Sequence, residues 1–119
     1  MEPRKVGMDN FNENVLDSSV PCIVKFSSEG CHFCQSLKPA YARLAREYEH
    51  KFKFFIVDIN ENPQLSAMFA ESGVPTFYIF DDDGGQEIPD PKQPDPSTWF
   101  TEDYLKKRIK KYLKKKSEV

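Results

Sequence analysis

The sequence predicts an α/β domain, a mixed β-sheet with helices packed on its faces. Three observations lead there. Short runs rich in β-branched and aromatic residues, at 20–27, 52–59 and 76–80, alternate with stretches whose apolar residues recur every three to four positions. Helical crossovers between the first two pairs of strand-like runs imply parallel pairing. The run at 76–80 is followed by an Asp-Gly turn, which implies an antiparallel hairpin.

Each element has a local reason. A weak strand near Lys5 to Met8 and a helical turn from Asn10 to Leu16 open the chain. Residues 20–27, VPCIVKFS, then alternate Cys22, Val24 and Phe26 on one face against Ile23 and Lys25 on the other. A helix is expected over 31–50, where Leu37, Ala40, Tyr41, Leu44, Ala45 and Tyr48 form one stripe and Pro39 predicts a kink. FKFFIVDI at 52–59 is the most strand-like run. Asn62-Pro63 reads as an N-cap followed by a first helical residue, with Leu65, Met68 and Phe69 on the apolar face and Gly73 as the stop. TFYIF at 76–80 is the next strand, and Gln86 to Ile88 reads as a short one. Pro89, Pro91, Pro94 and Pro96 exclude regular ladder pairing beyond it. Thr101 is placed to cap a last helix with Tyr104, Leu105, Ile109, Tyr112 and Leu113 on its buried side. We therefore expect a single domain over 1–119, with a Pro-rich loop at 89–98 and a basic C-terminal helix at 102–116.

Composition narrows the function classes. No apolar run approaches the length of a membrane span. Three cysteines are too few for a disulfide scaffold. The first 30 residues carry no apolar leader, which points to the cytoplasm. The net charge of −2 conceals an acidic body, −9 over residues 1–103, and a basic end, +7 over residues 104–119. The basic end reads first as a solvated helix whose lysines complement the helix dipole, with nucleic acid disfavoured as a partner. Asp81, Asp82 and Asp83 lack the spacing of a calcium loop and read as a solvated turn.

The chemistry-bearing motif is Cys31-His32-Phe33-Cys34, where the first strong strand gives way to a helix. The first turn of a helix has unpaired N–H groups and partial positive charge, so it favours a thiolate, the species that attacks disulfides. Two intervening residues bring the second sulfur near the first, and His32 can add positive charge. The alternatives are inert core cysteines or half of a zinc site. Zinc would have only Cys22, His32 and His50 as further ligands, so we expect no metal. Cys22, between Val20 and Val24, reads as a small buried hydrophobe.

CxxC after a strand, Pro39 five residues past Cys34, NENP at 60–63 and Val74-Pro75-Thr76 before a strand together resemble the thioredoxin family. The resemblance runs from about Phe11 to the last helix. It implies a thioredoxin fold, with Cys31 as attacking and Cys34 as resolving cysteine. It also implies a cis bond at Pro75, with the backbone of Val74, Pro75 and Thr76 pairing with an extended substrate segment. The activity implied is reduction of protein disulfides by a monomeric oxidoreductase without an organic cofactor, its Cys31–Cys34 pair restored by a reductase or other electron-donor protein. Alternatives are a disulfide oxidase or isomerase, and a non-catalytic binding subunit that docks through Phe33, Val74 and Pro75.

The chain also departs from the family pattern. Gly30 replaces the usual tryptophan, and His-Phe replaces Gly-Pro between the cysteines. The family usually has a buried acid where Lys25 stands and a lysine partner where Ile56 stands. Lys25 is expected to pair with Asp58; otherwise it snorkels to solvent or lies near the sulfurs and favours the thiolate. The prolines and Trp99 of 89–99 are a further departure, read as a surface loop near the cis-proline end.

Overall fold

The computed structural model of the chain describes residues 2–91 and 100–117. Five strands form one sheet: β1 (Arg4–Lys5), β2 (Cys22–Ser27), β3 (Lys53–Asp58), β4 (Thr76–Asp81) and β5 (Gly84–Glu87). Their spatial order is β1-β3-β2-β4-β5. The first three pair in parallel, while β4 runs antiparallel to β2, and β5 to β4. This is the mixed sheet flanked by helices that the sequence predicts, and it is consistent with the thioredoxin fold. Only the first of the two helical crossovers joins parallel strands, however: β4, expected parallel, enters antiparallel to β2.

Alternation along β2 divides the core. Ile23 points to the face covered by α2 (Lys38–Glu47) and α4 (Glu102–Ser117), where Tyr41, Leu44, Phe54, Phe77, Leu105 and Ile109 pack. Cys22, Val24 and Phe26 point to the other face. There they meet Phe11, Val15, Leu65 of α3 (Pro63–Phe69) and Phe80. Val15 belongs to a short π-helical segment, Asn12–Leu16, where the sequence predicts a helical turn. Burial on both faces explains why β2 reads as a nearly continuous apolar run.

Several expectations need correction. The helix expected over 31–50 is two helices, α1 (His32–Ser36) and α2, joined at Leu37. Pro39 therefore lies in the first turn of α2 rather than kinking an interior, and there its missing N–H costs no helical bond. Asn62 precedes α3 but makes no side-chain cap. Its Oδ1 instead accepts from the Met8 N–H at 3.0 Å and its Nδ2 donates to the Asp58 carbonyl at 2.9 Å, tying the N-terminal loop to the end of β3. The last strand starts two residues earlier than expected, although Ile88 still bonds the Phe77 carbonyl. The positive φ of 105° at Gly84 permits the hairpin turn.

Thr101 does cap α4, its Oγ1 accepting from the Tyr104 N–H at 3.1 Å. Asp81 is not a solvated turn residue. It accepts from the Tyr112 hydroxyl at 2.6 Å and pairs with Lys116 at 3.1 Å, fastening the end of α4 to the sheet. Asp82 and Asp83 are exposed. Of the Pro-rich loop, residues 92–99 lie outside the described residues, and Pro94, Pro96 and Trp99 with them. No helix among the described residues is long and apolar enough to cross a membrane.

Candidate active site

The site grows from the end of β2. The Ser28 carbonyl accepts from the Cys31 N–H at 3.1 Å and from Gln35 Nε2 at 3.0 Å, which folds the loop back onto α1. Asn60 Nδ2 donates to Ser28 Oγ at 3.0 Å and links this loop to the end of β3. Cys31 is thereby held as the N-cap of α1 in an extended conformation, and its Sγ accepts from the Cys34 N–H at 3.1 Å. A side-chain acceptor at an N-cap satisfies one of the unpaired N–H groups of the first turn. Here the acceptor is sulfur, so the same N–H favours negative charge on it.

Cys31 and Cys34 form a disulfide, their Cα atoms 5.2 Å apart. The two sulfurs are unequally placed. Cys34 is fully buried, whereas Cys31 is half-buried at the surface. The Val74 carbonyl oxygen lies 3.8 Å from Cys31 Sγ. The Val74–Pro75 bond is cis, and Thr76 begins β4 directly after it. Thr76 is buried and its hydroxyl donates to the Gly73 carbonyl at 2.6 Å, closing the turn that presents Val74. Gly73 has φ of 124°, a conformation that favours glycine.

The remaining candidates divide. Phe33 is half-buried, and exposed His32 lies against it with ring centroids 5.8 Å apart. A side chain at Gly30 would meet nothing closer than Ser28 Oγ at 4.0 Å, so the approach to Cys31 is open on that side. Lys25 does not pair with Asp58 and does not snorkel. It is 1% exposed, and its Nζ donates to the Cys34 carbonyl at 2.7 Å. The pair fails because both groups have nearer partners. Lys25 sits in mid-strand beneath α1. Asp58 lies two positions beyond Ile56, the residue level with Lys25, and its Oδ1 accepts from the N–H groups of Asn60 and Glu61. Asp58 thus shapes the turn toward α3 rather than the redox site. Burial, and then the charge of Lys38, pull the Lys25 amine down to a pKa of about 8.

Tyr41 is a site-supporting residue that its apolar spacing hid. Its ring lies 5.7 Å from Lys25 Nζ, and its hydroxyl donates to the Ile23 carbonyl at 3.0 Å and the Phe55 carbonyl at 2.8 Å. A tyrosine inside a helical stripe signals burial, and the need of a buried hydroxyl for an acceptor is the one clue to more. Cys22 is packed in the opposite core face, and burial pushes its thiol up. Among the described residues no group of three or more His, Cys, Asp or Glu is placed to hold a metal ion.

Comparison with known proteins agrees with this geometry. A family model described as Thioredoxin matches residues 2–110. Thioredoxin 1 of Nostoc sp. is 37% identical over 78 residues, covering 66% of this chain and 71% of that protein. Thioredoxin X, chloroplastic, of Arabidopsis thaliana is 35% identical over 86 residues, covering 72% of this chain and 46% of that protein. A thioredoxin of Synechocystis sp. is 33% identical over 79 residues, covering 66% and 72%.

Proposed function

The chain belongs to the thioredoxin family, and from that premise we propose a division of labour between its two redox sulfurs: Cys31 attacks, Cys34 resolves. The protein is a thiol–disulfide oxidoreductase, and the Cys31–Cys34 disulfide is its oxidised state. In the dithiol form Cys31 Sγ, ionised at the N-cap, attacks one sulfur of a substrate disulfide. A Cys31–substrate bond forms, the substrate S–S bond breaks, and the second substrate sulfur leaves with the electron pair and takes a proton from water. Cys34 Sγ then attacks Cys31 Sγ. The substrate is released as a dithiol and the pair is left oxidised. A reductase or other electron-donor protein returns two electrons and the protons, and no bound organic cofactor takes part.

The observation that carries this reading is the inequality of the sulfurs. One is at the surface and accepts a helix N–H, and the other is sealed beneath it. Substrate disulfides sit in extended segments, and the backbone of Val74, Pro75 and Thr76 offers such a segment a strand-like edge beside Cys31. Reduction of insulin by dithiothreitol is the test. Wild type accelerates it, Cys31→Ser abolishes the acceleration, and Cys34→Ser accumulates a mixed disulfide on Cys31. Acceleration that survives Cys31→Ser refutes the mechanism and returns the fold to a docking role.

A further inference from the structure

Lys25 is a buried cation that the exchange chemistry above does not use. It is level with Ile56 of β3 and Phe77 of β4, and the apolar cluster on its face includes Leu105 and Ile109 of α4. The charged or titratable side chains that face it are Lys38 and Tyr41 of α2, and the one hydrogen bond of its ammonium among the described residues is to the backbone carbonyl of Cys34 in α1. Among the described residues no carboxylate stands within ion-pair distance of it. A cation in a core without an anion is costly, and so is a thiolate at a fully buried sulfur. Each cost falls when the other charge is present. In the disulfide form Cys34 has no charge to offer. Once the disulfide opens, it can.

Resting on the dithiol-exchange reading, we propose that Lys25 is a positioning residue for the resolving cysteine, its ammonium being the counter-ion of the Cys34 thiolate that exists only while the disulfide is open. In the mixed disulfide the Cys34 thiol gives its proton to solvent, and the ammonium held at the Cys34 carbonyl stabilises the electron pair left on Sγ. That pair forms the bond to Cys31 Sγ, the Cys31–substrate bond breaks, and the substrate sulfur leaves with its pair and takes a proton from water. Lys25 keeps its own proton throughout. The bond from Nζ to the Cys34 carbonyl fixes where the charge sits. The family's buried acid at this position would carry the opposite sign.

Proton linkage makes the idea measurable. In the disulfide form the Lys25 amine gives up its proton above about pH 8. In the dithiol form the neighbouring thiolate holds that proton to higher pH. Below pH 8 the ammonium is present before and after reduction and Cys34 opens as a thiolate. Reduction there takes up one proton fewer in wild type than in a chain without Lys25, whose buried Cys34 thiol must take one. Above pH 8 the wild-type amine takes up that proton on reduction and the two dependences run parallel. For a two-electron couple one proton is a factor of ten in the exchange constant per pH unit, or about 30 mV.

The experiment is redox equilibration of the full chain with dithiothreitol from pH 6 to 10, quenched by alkylation and read by mass. Lys25→Met removes donor and charge; Lys25→Gln keeps a donor without charge. We expect both variants to lie about tenfold further toward the disulfide at pH 7 and to keep one steep pH dependence through pH 8, where wild type changes from a shallow to a steep one. The Cys34-to-Cys31 step, followed by release of a reporter thiol from a preformed mixed disulfide, slows in both. Variants that track wild type at every pH overturn the proposal, as does a glutamine variant alone that tracks it, since charge would then be irrelevant. Wild type alone also decides, because absence of a steepening through pH 8 overturns the proposal even if a variant fails to fold. Insulin reduction separates the two levels: loss of the Cys31 requirement refutes the exchange reading, whereas an active wild type with indifferent Lys25 variants refutes only the role of Lys25.

Discussion

Replacing Lys25 by methionine in the disulfide form should stabilise the protein at neutral pH, and the gain should vanish in alkali. The Lys25 amine falls from its ordinary 10.5 to about 8 on folding. At about 1.4 kcal/mol for each pH unit, the folded state carries about 3 kcal/mol of penalty for holding that charge. Below pH 8 both folded and unfolded chains are protonated and the penalty is complete. Between 8 and 10.5 the unfolded chain binds more protons than the folded one, so stability rises with pH. Above 10.5 the amine is neutral in both and the penalty is gone. Methionine fits the same volume but leaves the Cys34 carbonyl without its donor, at a cost of about 1 kcal/mol. The net gain at pH 7 is then about 2 kcal/mol. Urea denaturation of oxidised wild type and Lys25→Met at pH 7, 8, 9 and 10 measures it, and subtraction cancels the other lysines and tyrosines. A difference that stays constant from pH 7 to 10, or a variant less stable than wild type at pH 7, refutes the reasoning.

Two further substitutions probe the frame around the site. Burial opposes ionisation of Asp81, but the Tyr112 hydroxyl, Lys116 and the Asp83 N–H outweigh it and hold its carboxyl below the ordinary 3.8. Its contribution is complete above that value and lost as pH falls through the lower folded-state value. Tyr112→Phe should therefore cost about 1 kcal/mol at pH 7 and flatten the acid limb of the melting profile between pH 5 and 2, read by circular dichroism. An unchanged acid limb would show that the Tyr112 contact does not set the Asp81 titration. Gly85→Ala would set a Cβ 2.6 Å from Cε1 and 2.9 Å from Cδ1 of the Phe80 ring, which is packed against Phe11 and Phe69. We expect a loss of about 1–3 kcal/mol in urea denaturation, and a neutral variant would mean that the ring moves freely.

Most of the fold was legible because the apolar spacing that marks each element is the spacing that buries it. The stripe from Leu37 to Tyr48 is buried at all six positions, and the alternation in β2 sorts Cys22 and Ile23 onto opposite faces. The cysteine pair and the Val74–Pro75 turn were legible from motif order. What escaped was set by side chains choosing among distant partners. Asn62-Pro63 has the local form of a cap, yet Met8 brings a backbone N–H to its side chain from across the fold. Asp58 looks like a salt-bridge partner in one dimension, but the turn after β3 supplies two N–H groups closer at hand. The break at Leu37 follows from Pro39 starting a helix instead of bending one, and a continuous stripe carries the same period across both.

The unequal depth of the cysteines also decides what the outside world can touch. Cys22 and Cys34 are both sealed, and only Cys31 borders solvent. A chain with three sulfurs therefore behaves toward bulky reagents as though it had one. A probe attached to the reduced protein should report a single address, with the other two sulfurs appearing only after denaturation.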